Sequence, residues 1–243
     1  MQGHAAVALL LMPLLWGIAH AATGEDDRII GLLALPQLFG TGPCDVETET
    51  RPLDLFDSAD STTPVGEVRV DAPWKMAAEG GCEMLEVGVH LAGADGVVQP
   101  LPADEYGYEE AGAVVLARRG DRFKIALQNG AAWVEPLAGA EFHPLEDLIV
   151  GRLSFLTGAW DGKICADPGD SGSCREIGPW VDDELNVTVL GHRETEGRLW
   201  FEIEAPTRDT CGEPVPDFSP VRGWTSAHHD NGEPAIWFYS RGC

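Results

Sequence analysis

Positive charge is what this sequence has least of: 16 Lys+Arg stand against 40 Asp+Glu in 243 residues, a formal charge of −24. Lysine occurs only at Lys75, Lys124 and Lys163. Nucleic acids and anionic membrane surfaces are held by clustered Lys and Arg that displace counterions, so this balance argues against both partners. Long apolar runs are scarce as well. The one clear stretch, Ala5 to Ala19 (AAVALLLMPLLWGIA), is too short for a comfortable membrane span and is followed by Glu25, Asp26 and Asp27. Beyond Ala22 there is no G-x-S-x-G, H-E-x-x-H, G-x-x-x-x-G-K-[ST] or G-x-G-x-x-G, which leaves no nucleophile elbow, zincin helix or phosphate loop. Nor is there a C-x-x-C pair, the usual mark of a zinc site. What is present, 44% apolar residues with Gly 29 and Pro 17, describes a folded, loop-rich chain rather than a disordered one.

The apolar run ends in Ala19-His20-Ala21, the small-x-small pattern read by signal peptidase. Residues 1–21 are therefore expected to be a cleaved signal peptide, the mature protein to be periplasmic or extracellular, and no membrane span to remain after cleavage. All six cysteines (Cys44, Cys82, Cys165, Cys174, Cys211, Cys243) lie beyond the cleavage point. An even number in an exported chain reads as three disulfides, in one of the fifteen connectivities that six cysteines allow. Sequential pairing is expected, because Cys44 and Cys82 bracket one unit, Cys165 and Cys174 close a short acidic loop, and Cys211 ties a long loop to Cys243. Recruiting one thiol for catalysis would leave an odd one, so parity favours structural cysteines.

Short β-branched or aromatic runs separated by Gly, Pro, Asn and Asp predict an all-β protein. The clearest stretch has a strand at Val114 to Leu116, a turn at Arg119-Gly120-Asp121, and Phe123, Ile125 and Leu127 alternating with Lys124 and Ala126. Asn129-Gly130 then predicts a hairpin that pairs Ala131 to Val134 back on Arg122 to Leu127. Arg28 to Phe39 is continuously apolar and reads as a buried strand or a short helix, limited either way by Pro36. In the second half Asn186 to Leu190 is a strand, His192 to Gly197 a polar turn, and Leu199 to Glu204 a strand with Trp200 facing away from Phe201. Residues 139–152 read as a connection between two units, with a short helix starting near Leu145.

Val187-Thr188-Val189-Leu190, Trp200-Phe201-Glu202-Ile203 and Gly223-Trp224-Thr225 resemble the strand sequence of bacterial SH3-like domains. In the first half, Leu53 to Val70, Arg122 to Ile125 and Ala132-Trp133-Val134 resemble the same family. The resemblance implies two small SH3-like β-barrels stapled by disulfides, over 22–138 (with an insertion around Trp74 to Tyr108) and 153–243. It also implies a non-catalytic module that binds a peptide, a protein or another component of the cell envelope. Alternatives are an envelope hydrolase using carboxylates or a metal, and a structural or stress protein with no small ligand.

Three clusters are candidates for chemistry. His228-His229-Asp230 could ligate a metal or exchange protons, but adjacent strand residues point to opposite faces, so the expectation is a polar turn. Asp161, Asp167 and Asp170 surround Cys165 and Cys174 in a Gly-rich loop, without the alternate-position spacing of a calcium loop. The acidic run Asp104 to Glu110 could pair carboxylates as glycosidases do, and is expected instead to be an exposed loop. No catalytic residue, metal ligand or cofactor is assigned. Trp133 and Trp200 are expected in the core, and a binding edge is expected at Trp224, His228, His229 and Trp237.

Overall fold

The computed structural model describes residues 28–39, 51–70, 75–76, 82–83, 87–93, 98–107, 110–158, 160–177, 185–205 and 220–240. The expected signal peptide lies outside the described residues, as do the pairings Cys44–Cys82 and Cys211–Cys243.

Strands dominate, as the short branched runs predict. The first half carries β1 (Gly31–Ala34), β2 (Leu53–Phe56), β3 (Gly66–Val70), β4 (Lys75–Met76), β5 (Cys82–Glu83), β6 (Val87–Leu91), β7 (Val98–Pro100), β8 (Ala103–Gly107), β9 (Glu110–Arg119), β10 (Arg122–Leu127), β11 (Gly130–Val134) and β12 (Glu141–Pro144). The second half carries β13 (Leu153–Leu156), β14 (Lys163–Cys165), β15 (Cys174–Glu176), β16 (Leu185–Thr195), β17 (Arg198–Ala205), β18 (Val221–Ser226) and β19 (Ile236–Phe238). The helices are one turn each: α1 (Pro36–Phe39) and α2 (Leu145–Ile149).

The larger sheet runs β12-β1-β9-β10-β11-β2-β3-β6-β7. It curls back on itself because β8, only two residues after β7, pairs with β9 again. Inside lie Leu53, Leu55, Val89, Val115, Ile125 and Val134, the inward positions of alternating strands. Among its described residues the acidic run is not the exposed loop expected of it: Ala103 to Gly107 is a strand paired with β9, with Glu105 opposite Ala111.

The Arg28 to Phe39 run is both strand and helix, since Pro36 ends β1 and opens α1, where its missing N–H costs nothing. The Asn129-Gly130 hairpin forms with Leu127 opposite Gly130, so Gln128 and Asn129 make the turn and only Gly130 takes a positive φ, 109°. That is a turn followed by a left-handed glycine rather than two left-handed residues.

The smaller sheet runs β15-β14-β18-β17-β16-β13-β19. Its path also turns back: Ala235 N–H donates to the Ala227 carbonyl, Thr157 N–H donates to the Ala235 carbonyl, and His228 bridges Pro234. These contacts bring the end of β18 against the start of β19, which pairs with β13. Phe201, Ile203, Val187 and Val189 fill the interior. A bulge between Val189 and Gly191 leaves Leu190 exposed at 41%, and beyond it β16 runs on to Thr195. The polar turn is therefore only Glu196-Gly197, both at positive φ (53° and 70°), instead of the six residues from His192. Residues 192–195 pair with β17 in a hairpin arm whose polar side chains face solvent, which hides the strand from a reading based on alternation.

The two sheets share a seam. Leu33 points into the first interior while its neighbour Leu32, with Val114, packs beside Leu145, Leu148 and Ile149 of α2 in the second core. Neither Trp133 nor Trp200 is in a core as expected; both are half-buried, because Ala132, Val134, Phe201 and Ile203 hold the inward positions around them.

Candidate functional site

The turn after β18 is built by its own polar groups. Ser226 Oγ donates to the His228 carbonyl (2.7 Å), His229 N–H donates to the Glu233 carbonyl (2.8 Å), and Gly232 N–H donates to the His229 carbonyl (3.0 Å). Gly232 sits at φ 87°, a conformation that costs a residue with a Cβ about 1–2 kcal/mol. The His228 imidazole is fixed from outside the turn: its Nε2 donates to the Ile29 carbonyl at 2.6 Å.

Facing this turn is the β14–β15 hairpin, closed by the disulfide Cys165–Cys174, whose cysteines stand opposite each other in the ladder. Within its loop Asp170 Oδ1 accepts from Gly172 N–H (2.9 Å) and Ser173 Oγ donates to the Asp170 carbonyl (2.8 Å). A Cβ on Gly169 would lie 3.0 Å from Thr195 Cγ2, so the loop leans against the β16–β17 arm. Trp160 is held by its Nε1–H, which donates to the otherwise buried Thr225 Oγ1 at 3.0 Å. Between turn, hairpin and arm is a cavity of about 340 Å³, with Trp160, Trp200, Arg198, His228, His229 and Asp230 among its walls. A smaller recess adjoins it, shares Arg198, His228, His229 and Asp230, and adds Arg28.

Two residues of the wall each keep a ring nitrogen buried away from solvent and without a hydrogen-bond partner, Trp200 Nε1 and His229 Nδ1. Burying such a group unpaired costs roughly 1–3 kcal/mol. The charges are as telling. Arg69, Arg119, Arg122 and Arg222 each pair with a carboxylate, and Lys163 with Asp161 at 4.0 Å. Arg28 and Arg198 have no carboxylate partner among the described residues, as is true also of Arg118, Arg152, Arg175 and Arg193, but only these two stand at the cavity and its recess. His228 is held below the usual imidazole range by burial; its hydrogen bond to Ile29 opposes that shift and the Arg28 charge adds to it.

No family model, curated protein or solved structure matches this chain.

The expected binding edge is half assembled. His228 and His229 line the cavity together, because they stand in a turn rather than a strand. Trp224 and Trp237 do not. Trp224 is half-buried under the Arg193 guanidinium, 4.7 Å from its ring centre, and Trp237 packs against Phe238 with ring centres 5.1 Å apart. Of the loop carboxylates, Asp161 reaches the cavity wall while its Oδ1 accepts from Lys163 N–H, and Asp170 caps its own turn. Among the described residues no three His, Cys, Asp or Glu side chains are placed to hold a metal ion. Sequence reasoning missed Arg28, Trp160, Arg198 and Trp200 as wall residues. For Trp200 a signal existed, since an aromatic directly before a core aromatic on a strand must face outward.

Proposed function

We propose that the protein is a non-catalytic binding module of the exported fraction that holds a peptide, or another component of the cell envelope, in the cavity beside His228 and His229. The observation that carries this reading is the cavity itself. Its volume of about 340 Å³ falls within the roughly 300–1,000 Å³ of small-ligand sites, and Trp160 and Trp200 stand at its wall. A non-catalytic role is supported by Ser226, whose hydroxyl is spent on the His228 carbonyl rather than offered to an imidazole. Two diverged SH3-like barrels remain our reading of the architecture, supported by the way each sheet path returns on itself. Export is supported by the Ala5 to Ala21 pattern together with the Cys165–Cys174 disulfide.

The test is titration of the mature protein with short peptides of acidic, neutral and basic character, followed by tryptophan emission and calorimetry. Saturable binding that is weakened by Trp200→Phe supports the cavity. Absence of heat and of any emission change across the whole series, with the protein folded, overturns it.

A further inference from the structure

We propose that the ligand of this cavity carries a carboxylate, as the free C-terminus of a short peptide does, and that Arg198 and Arg28 recognise it. The proposal rests on the reading of the cavity as the binding site and adds the charge of what enters. Net charge alone points the other way: a chain at −24 should attract basic or neutral partners. Distance decides between the two. Charges more than about 8 Å away are largely screened at physiological ionic strength, so the nearest groups govern a bound ligand.

Those groups can be counted. Lys163 and Asp161 offset each other at 4.0 Å. Arg198 and Asp230 then balance within the cavity wall, and Arg28 at the adjoining recess adds one positive charge, which suits a monoanion better than a phosphate dianion. His228 adds no charge while its imidazole is neutral, and its Nε2 proton is already spent on Ile29. An unpaired guanidinium offers two parallel N–H groups to a carboxylate, a geometry that lysine lacks. Arg198 shares both the cavity and the recess, so it is the residue on which recognition turns.

The experiment compares N-acetyl-alanyl-alanine with its C-terminal amide by calorimetry on the full mature protein, at low and physiological salt. The acid is expected to bind at least ten-fold more tightly than the amide. Arg198→Gln should erase that preference and Trp200→Phe should weaken the acid several-fold, with near-UV circular dichroism showing each variant folded. Equal binding of acid and amide, or an unchanged preference in Arg198→Gln, overturns the carboxylate while leaving the cavity as a binding site. Binding of neither probe, together with none in the wider peptide series, overturns both readings.

Discussion

Nε2 of His228 and the carbonyl oxygen of Ile29 lie 2.6 Å apart, a hydrogen bond across 199 positions of sequence that ties the cavity turn to the strand entering the first sheet. The imidazole there is held below its ordinary value, chiefly by burial. Arg28, Arg198, His229 and Asp230 are the other charged or titratable groups at its recess. A folded-state value below the unfolded one, which lies near 6.5, means that the unfolded chain binds the proton first as pH falls. Stability from this site is therefore complete above about pH 7 and is lost as pH drops through 6.5 toward the depressed value. Urea midpoints at pH 7.5, 6.5 and 5.5 should fall in the native protein. They should fall less in His228→Gln, which keeps a donor and cannot titrate; an identical pH slope in the two proteins would exclude this account.

The Cys165–Cys174 bridge closes a sequence separation of 9 at the wall of the cavity. By restriction of the unfolded chain a loop of that size contributes roughly 2–3 kcal/mol. The double change Cys165→Ser with Cys174→Ser should lower stability by about that amount in denaturant titrations. Because the hairpin carries the loop that leans on Thr195, ligand affinity should fall further than stability. A variant that loses stability and binds its ligand unchanged would remove the hairpin from the site.

Local pattern made part of this molecule legible and left part hidden, for reasons that differ by residue. Phe123, Ile125, Ala132 and Val134 were readable because alternation and a nearby glycine turn are encoded within a dozen residues. The closing contacts of the smaller sheet, Ala227 to Ala235 and Ala235 to Thr157, carry no local signature, since they join backbone groups whose side chains could be almost anything small. The cavity is harder still to foresee. Arg28, Trp160, Arg198 and His228 come from four distant segments, and each on its own is an ordinary surface or half-buried residue. What distinguishes them is that they meet around one space, a property that exists only once the chain has folded.

Gly223 marks the tightest approach in the smaller sheet. A Cβ there would meet Ile164 Cγ2 at 2.2 Å and the Cys165 carbonyl oxygen at 2.7 Å, so no side-chain rotation relieves both. Gly223→Ala should cost about 1–3 kcal/mol or more by overpacking. Gly191→Ala is the matched control: nothing lies within 4 Å of its Cβ, so reduced freedom of the unfolded chain should leave stability unchanged or raised by about 0.4–1 kcal/mol. Equal midpoints for the two variants would show that β14 is free to move away from β18.

Phe201 and Trp200 are neighbours with opposite duties. Phe201 is fully buried among Ile203, Val187 and Ile236, whereas Trp200 is half-buried at the cavity with its Nε1–H unpaired. Phe201→Ala should remove about 3–5 kcal/mol, the usual cost of emptying an aromatic core position, and should lower soluble yield. Trp200→Phe deletes a donor that is already unsatisfied, so the lost ring contact is offset by relief of about 1–3 kcal/mol of uncompensated desolvation. Its midpoint should stay within about 1 kcal/mol of the native protein while ligand affinity falls. A large stability loss in Trp200→Phe would mean that the indole is a core residue after all, and the cavity would then lose one of the two indoles in its wall.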